Sequence, residues 1–400
     1  MNRLKLDNGL VIIFENKNSC SVAIEVMVKA GAYDETEKNS GVAHFIEHML
    51  FEGTKKRSAR ELANEIDKTG GDINGYTSKE KTAYHIIVEK KHFSKALDVI
   101  SDVIQNPLFD EKDIEKERKV ILDEIKLVTD DPRFYQWILF ERALFGKTPA
   151  GNPTSGTYDT IKNLKKKDLL EFYDSFYIPN NMIVSVSGNI NPKIRKSVIS
   201  AFRCMKKGNV SDKKERCIKR HKKSIKEKRK ILSSYFILGY RTVNRTHKDS
   251  YALDLIRAIL GKGQSGRLFY EIRTKRGLAY YFGVDHEPKK NYGFFSVFAG
   301  TDKKNIPLVK NLIIDEFKKL ENLSGNEIKE AKDYIEGRFV LDNEDNNEMA
   351  DLLAGWEAVK DARLAKSYIS KIRKITKNKI LRVAKKYLTK NYTTAIIEQK

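Results

Sequence analysis

Two rhythms of apolar residues recur along the chain. Dense runs rich in β-branched and aromatic residues read as strands at 10–14, 21–28 and 82–88, then again at 231–238, 280–284 and 293–298. Spacings of three and four read as amphipathic helices over 42–50, 94–104 and 115–129, then over 251–260 and 306–320. Each half therefore opens on strands, continues through a helix and a glycine-containing turn to more strands, and then enters a long helix. This is a weak internal repeat. Strands and helices alternate without a strict βαβ rhythm. The pattern predicts an α+β fold of two similar domains, each a mixed, mostly antiparallel sheet covered by helices.

A chain of 400 residues exceeds what one compact core usually serves, which agrees with two domains of roughly 200 residues each. Near the middle, about half of positions 206–230 are lysine or arginine and apolar residues are scarce. Like charges extend a chain, so this stretch reads as a linker. The expected domains are 1–205 and 231–400, the first carrying the chemistry and the second a similar fold without it. Hydrophobic residues make up 40% and charged residues 32%, which suits a folded globular chain. No apolar run is long enough to span a bilayer, and no secretory or transit signal opens the sequence, so the expected location is the cytoplasm, with no membrane partner. Cys20, Cys204 and Cys217 are widely spaced and odd in number, as free thiols are. The net charge of +22 raises the question of a nucleic-acid partner. Lysine carries most of it and is spread along the chain without a recognisable nucleic-acid motif, so a solvated basic surface is the simpler reading.

The candidate chemistry lies at His44-Phe45-Ile46-Glu47-His48. Four residues apart on a helix, His44 and His48 share a face and can offer two imidazoles to one ion, with Glu47 beside them. Zinc takes histidine nitrogen readily, and a catalytic site keeps three protein ligands and one open position. Glu47 sits too close to be a comfortable third ligand but is placed to act as a general base. A chance H-x-x-E-H is expected in roughly one such chain in a hundred. The third ligand must come from elsewhere, and the helix over 115–129 offers Glu117 and Glu124, two turns apart on one face. Spacing alone leaves both open.

These residues resemble the inverted-zincin peptidases: pitrilysin, the insulin-degrading enzyme and the mitochondrial processing peptidase. The segment from Gly41 to Phe51, followed by Gly53-Thr54, is similar to that family's most diagnostic stretch, and Glu117 with Glu124-Ile125 resembles its E-x6-E-I pattern. The resemblance implies that Glu124 is the third ligand, with one Zn2+ per chain, and that Glu117 supports the site; adjacent Asp123 is the weaker competitor. Gly70 to Ser78 resembles the edge strand on which the family's substrates pair, implying substrate contacts at Asn74, Gly75, Tyr76 and Thr77. The family commonly has alanine at the position of Gly75. Arg273 and Tyr280, in the run from Ile272 to Tyr280, resemble an arginine–tyrosine pair that reaches the bound peptide and its oxyanion.

The implied activity is zinc-dependent endopeptidase hydrolysis of peptides or unfolded polypeptides inside a closed chamber, with metal-bound water as nucleophile and Glu47 as general base. Because larger relatives close their chamber with four such domains, two domains imply a homodimer, or a heteromer with a related chain. Sliding Ser40 onto Ser250 sets Asp254, Arg257 and Ala258 against His44, Glu47 and His48, so the second half keeps the helix without the ligands. Two other readings compete. One is a catalytically silent subunit of the same family; the other is a basic nucleic-acid-binding protein.

Overall fold

The computed structural model describes residues 1–210 and 223–400. They form two compact units, each assembled from three stretches of chain. Among the described residues the first unit takes 1–126, 152–210 and 341–365, and the second takes 127–151, 223–340 and 366–400.

The first unit is built on six strands: β1 (Asn2–Lys5), β2 (Val11–Asn16), β3 (Ser21–Val28), β4 (Asp72–Thr77), β5 (Thr82–Glu89) and β6 (Met182–Gly188). Their order is β1-β2-β6-β3-β5-β4, and only β2 and β6 run parallel. Alternation along β3 sends Val22, Ile24, Val26 and Val28 into the main core, which they share with α1 (Val42–Phe51). Helices α2 (Ala59–Asp67) and α3 (Phe93–Gln105) add Leu62, Ile66 and a row of α3 side chains to the same core. The opposite side of β3 and β6 is covered by the helix Asn346–Val359, which comes from the far end of the sequence. With both faces covered, β3 is buried along nearly its whole length, hence its almost unbroken apolar run. The edge strand β4 pairs only with β5 among the described residues.

The second unit carries β7 (Ser224–Arg229), β8 (Ser234–Thr242), β9 (Tyr281–Pro288), β10 (Gly293–Thr301) and β11 (Thr393–Gln399), in the order β7-β11-β8-β10-β9. Only β7 and β11 are parallel. This sheet also receives a helix from the other half of the sequence. After α4 (Glu111–Asp130), helix α5 (Pro132–Phe145) packs on β8 and β11. The Phe140 ring lies where a Cβ on Gly239 would come within 2.4 Å, so only glycine fits there. Trp137 meets Phe298 edge-on, and Phe140 and Phe145 meet Phe294.

Two boundaries differ from the sequence reading. Of the expected basic linker, residues 211–222 lie outside the described residues, while Ser224–Arg229 is strand β7 with every second residue exposed. The run expected to be a strand from 231 starts at Ser234 instead, and Leu232 is 94% exposed. Charges on a strand are tolerated at a sheet edge, where one side meets water, and that is where β7 lies.

Candidate active site

Helix α1 buries Val42, Ala43, Phe45, Ile46, Met49 and Leu50, which leaves His44, Glu47 and His48 on its remaining face. Its start is held in place by two local devices. Gly41 has φ 93°, and a Cβ there would come within 2.6 Å of Ile161 Cδ1 and 2.8 Å of the Ser155 carbonyl. The Glu35 carboxylate then accepts hydrogen bonds from the N–H groups of Gly41 at 2.7 Å and Ala43 at 3.0 Å, capping the first turn. Burial pushes the Glu35 carboxyl up to about 8, against the pull of those two N–H groups. Glu35 was not read from the sequence as a site residue. Sequence offered no local signal for it, because Glu35 lies six residues ahead of the N-cap Gly41 and reaches the helix start only through the fold of the loop.

Helix α4 brings two acids to this face. Glu124 Oε2 lies 3.5 Å from His48 Nε2 and 3.8 Å from His44 Nε2. One ligand atom from each of His44, His48 and Glu124 can be chosen so that all lie within 4.8 Å of one another, and no other group of metal-binding side chains does so among the described residues. Glu117, one face and two turns earlier, takes a different place: its Oε2 is 3.0 Å from His48 Nδ1. A carboxylate on Nδ1 fixes the ring and leaves Nε2 for an ion, the usual arrangement behind a metal-ligating histidine. The alternative left open by spacing is therefore divided by position, with Glu124 among the ligand atoms and Glu117 behind His48. Asp123 turns away, with its side chain 70% exposed and paired to Lys126 at 2.7 Å.

The donor set of two imidazoles and one carboxylate suits zinc, and the geometry suits it as well. The two rings meet edge-on with centroids 4.8 Å apart. His44 Nδ1 is buried without a hydrogen-bond partner. Burial first, and then the neighbouring His48, hold the His44 imidazole down to about 4, so it is neutral and free to donate a lone pair at neutral pH.

Glu47 accepts a hydrogen bond from the Thr77 hydroxyl at 2.6 Å. Burial raises its carboxyl above the usual range and Glu124 adds to this, while Thr77 and His48 oppose it. A carboxylate tuned upward is a better proton acceptor near neutrality. Thr77 was expected as a substrate contact; its side chain serves Glu47 from the end of β4. On the same face of β4, Ile73 packs on the core and Gly75 sits against Phe51, whose ring would lie 3.0 Å from an added Cβ. Asn74 and Tyr76 face the other way, and the Tyr76 hydroxyl donates to Asp351.

Arg273 and Tyr280 belong to the second unit, in and after a π-helical turn spanning Tyr270–Thr274. Both are exposed, Tyr280 by 88%, and the Arg273 guanidinium stacks over Phe269 at 5.2 Å. In that unit the helix Ser250–Gly261 carries Asp254, the counterpart of His44 in the internal repeat. Asp254 is committed to protein cations and donors: Arg245 at 2.6 Å, His286 Nδ1 at 2.7 Å and the Tyr368 hydroxyl at 3.1 Å.

Known proteins resemble this chain in sequence and in fold. A profile described as insulinase (peptidase family M16) matches residues 10–158, and one described as peptidase M16 inactive domain matches residues 163–335. An uncharacterized zinc protease of Rickettsia bellii is 34% identical over 345 residues, covering 85% of this chain and 83% of that protein. An uncharacterized zinc protease of Bacillus subtilis is 29% identical over 99% of this chain and 97% of its own length. The crystal structure of a protease from Helicobacter pylori superposes with a TM-score of 0.93 at 25% identity, covering 99% of each chain. A peptidase M16 inactive domain from Pseudomonas fluorescens shares the fold, with a TM-score of 0.91 at 19% identity, over 100% of this chain and 98% of that one. The chain belongs to the insulinase family, peptidase family M16, and carries its N-terminal and C-terminal domains in one polypeptide.

Proposed function

We propose that this chain is a zinc-dependent endopeptidase acting on peptides or unfolded polypeptides. The observation that carries this reading is the meeting of His44, His48 and Glu124 from two helices, with Glu47 held beside them by Thr77. When bound by these three residues, zinc supplies a Lewis acid and lowers the pKa of a coordinated water towards about 7. Glu47 accepts the proton lost from the attacking water and returns a proton to the departing amine. Thr77 keeps the Glu47 carboxylate in one orientation, and Glu117 holds the His48 ring through Nδ1. The free edge of β4 binds the peptide main chain by strand addition, a mode that demands little of sequence.

The test is a small set of internally quenched peptides incubated with the full chain. Hydrolysis is expected to disappear with a chelator and to return when zinc is added back. Turnover that persists in chelator, or none at all in the zinc-loaded protein, rules the reading out.

The reading extends to assembly. Arg273 and Tyr280 would act on a peptide held by a second copy, making the active species a homodimer, or a heteromer if a related chain takes the second place. Sedimentation during turnover is expected to give a species of twice the chain mass, and a fully active monomer contradicts it. The proposed location is the cytoplasm; among the described residues no helix is long and apolar enough to cross a membrane.

A further inference from the structure

The two units do not share the net charge of +22. Among the described residues the first unit has 32 lysines and arginines against 34 acids, a balance of −2. The second has 38 against 18, a balance of +20. The other +4 belongs to residues 211–222, outside the described residues. Cations are therefore spread over both units, as along the sequence, and it is the acids that are scarce in the second. A general taste for lysine would charge both units alike. The scarcity is sharpest near the end of the chain: from Lys366 to Ile397 there are ten lysines and arginines and no acid.

That run contains the helix Lys377–Tyr387, whose start is capped by the Thr376 hydroxyl, which accepts from the Lys379 N–H at 3.3 Å. The helix packs on the helix Ser250–Gly261 and on β8, and buries Ile380, Val383 and Ala384. Its outer side, about 16 Å long, is exposed at Lys377, Arg382, Lys385 and Lys386. Lys374 and Lys390 are exposed just beyond its two ends. Among the described residues two acids pair with this helix. Buried Asp249 is shared by Lys379 and Lys386, and exposed Glu321 lies 3.0 Å from Lys385. Lys374, Lys377, Arg382 and Lys390 have no acidic partner among the described residues.

The chemistry of this side selects among anionic partners. A helix that lies on a bilayer needs a free apolar face, and here the apolar side is already buried in the second unit. No large apolar side chain from Lys366 to Lys400 is exposed. A protein partner is held by aromatic and apolar anchors, and lysine is depleted from such interfaces. A phosphodiester backbone asks for neither. It carries one charge per about 1.7 Å of duplex and is neutralised from outside by flexible cations. We propose that the outer side of the helix Lys377–Tyr387, extended by Lys374 and Lys390, binds the phosphate backbone of nucleic acid without regard to base sequence. This is a second function, housed in the unit that lacks the metal-binding side chains, and it stands independently of the peptidase reading.

The experiment follows the fluorescence anisotropy of a labelled, random-sequence DNA duplex of about 20 base pairs as the full chain is added. The unaltered protein is expected to bind with a Kd of about 10⁻⁶ M in about 50 mM salt. In about 200 mM salt the affinity is expected to fall about 10²-fold, as about four phosphate contacts require. Lys377→Glu, Arg382→Glu and Lys390→Glu together are expected to weaken binding at least about tenfold and to reduce the salt slope by about three. Lys68→Glu, Lys112→Glu and Lys196→Glu together make the same change in net charge at exposed positions of the first unit. They are expected to leave the affinity within about twofold. Circular dichroism checks the fold of both triple variants. If the first does not fold, Lys377→Gln with Arg382→Gln replaces it, with an expected loss of about threefold. No binding of the duplex by the unaltered protein overturns the proposal, and so does an equal loss in the two triple variants. Tighter binding to vesicles with about 30% anionic lipid, or to polyglutamate, than to the duplex overturns it as well.

Discussion

Replacing Glu47 by glutamine is expected to lower kcat/KM on any cleaved peptide by about 10³-fold while zinc content stays at the unaltered level. Glutamine has nearly the same volume and keeps an oxygen that accepts the Thr77 hydroxyl, so the local fold has no reason to change. What it loses is the ability to take a proton. Metal analysis and rate measurement on the same preparation decide the matter. A Glu47→Gln protein that turns over at the normal rate removes Glu47 from the chemistry, and one that loses its zinc shows a structural role instead.

Glu124→Gln is expected to do the reverse, removing the metal and with it the activity. Glutamine is a poor ligand where a carboxylate supplied both charge and lone pairs. Changes behind a ligand usually cost 10–100-fold in metal affinity, so deleting the ligand itself is expected to cost more than about 100-fold. The Glu124 side chain is 42% exposed, so thermal stability of the metal-free protein should move little. Asp123→Asn is the control, one residue away and paired with Lys126 in a solvated position. Dialysis against graded zinc concentrations, followed by metal counting, separates the two variants. Equal zinc retention by Glu124→Gln and the unaltered protein removes Glu124 from the ligand set.

The site was legible where chemistry is local. His44, Glu47 and His48 lie within one helical turn, and helical periodicity alone puts them on one face. Glu117 and Glu124 were harder to tell apart because two full turns separate them, so both point the same way. Their difference is depth. Glu117 is 7% exposed and sits behind His48, whereas Glu124 lies nearer the opening, and depth depends on how α4 lies against α1. The link from Glu35 to the start of α1 and the link from Asp351 to Tyr76 were not read at all. The first joins two loop-side positions, and the second spans most of the chain.

The fold shows the same division. Strands at the centre of a sheet announce themselves by apolar runs, as β3 and β6 do. An edge strand such as β7, Ser-Ile-Lys-Glu-Lys-Arg, looks like a charged connector because only its alternate residues are covered. Conversely, Ile231 and Leu232 extended an apolar run beyond the real start of β8. The two helices that cross over to the other half's sheet have only weakly amphipathic sequences, and nothing local says which sheet they cover.

That crossing has a consequence for how the chain comes into being. The first sheet has its last strand once Gly188 is made, yet its second face stays bare until the helix ending at Val359 leaves the ribosome. At ordinary synthesis rates the wait is on the order of ten to thirty seconds. During it, Ala23, Met27 and the unpaired Glu25 carboxyl remain open to water and to other chains. The first sheet is thus born unfinished, with one face open to aggregation until the helix Asn346–Val359 arrives to close it.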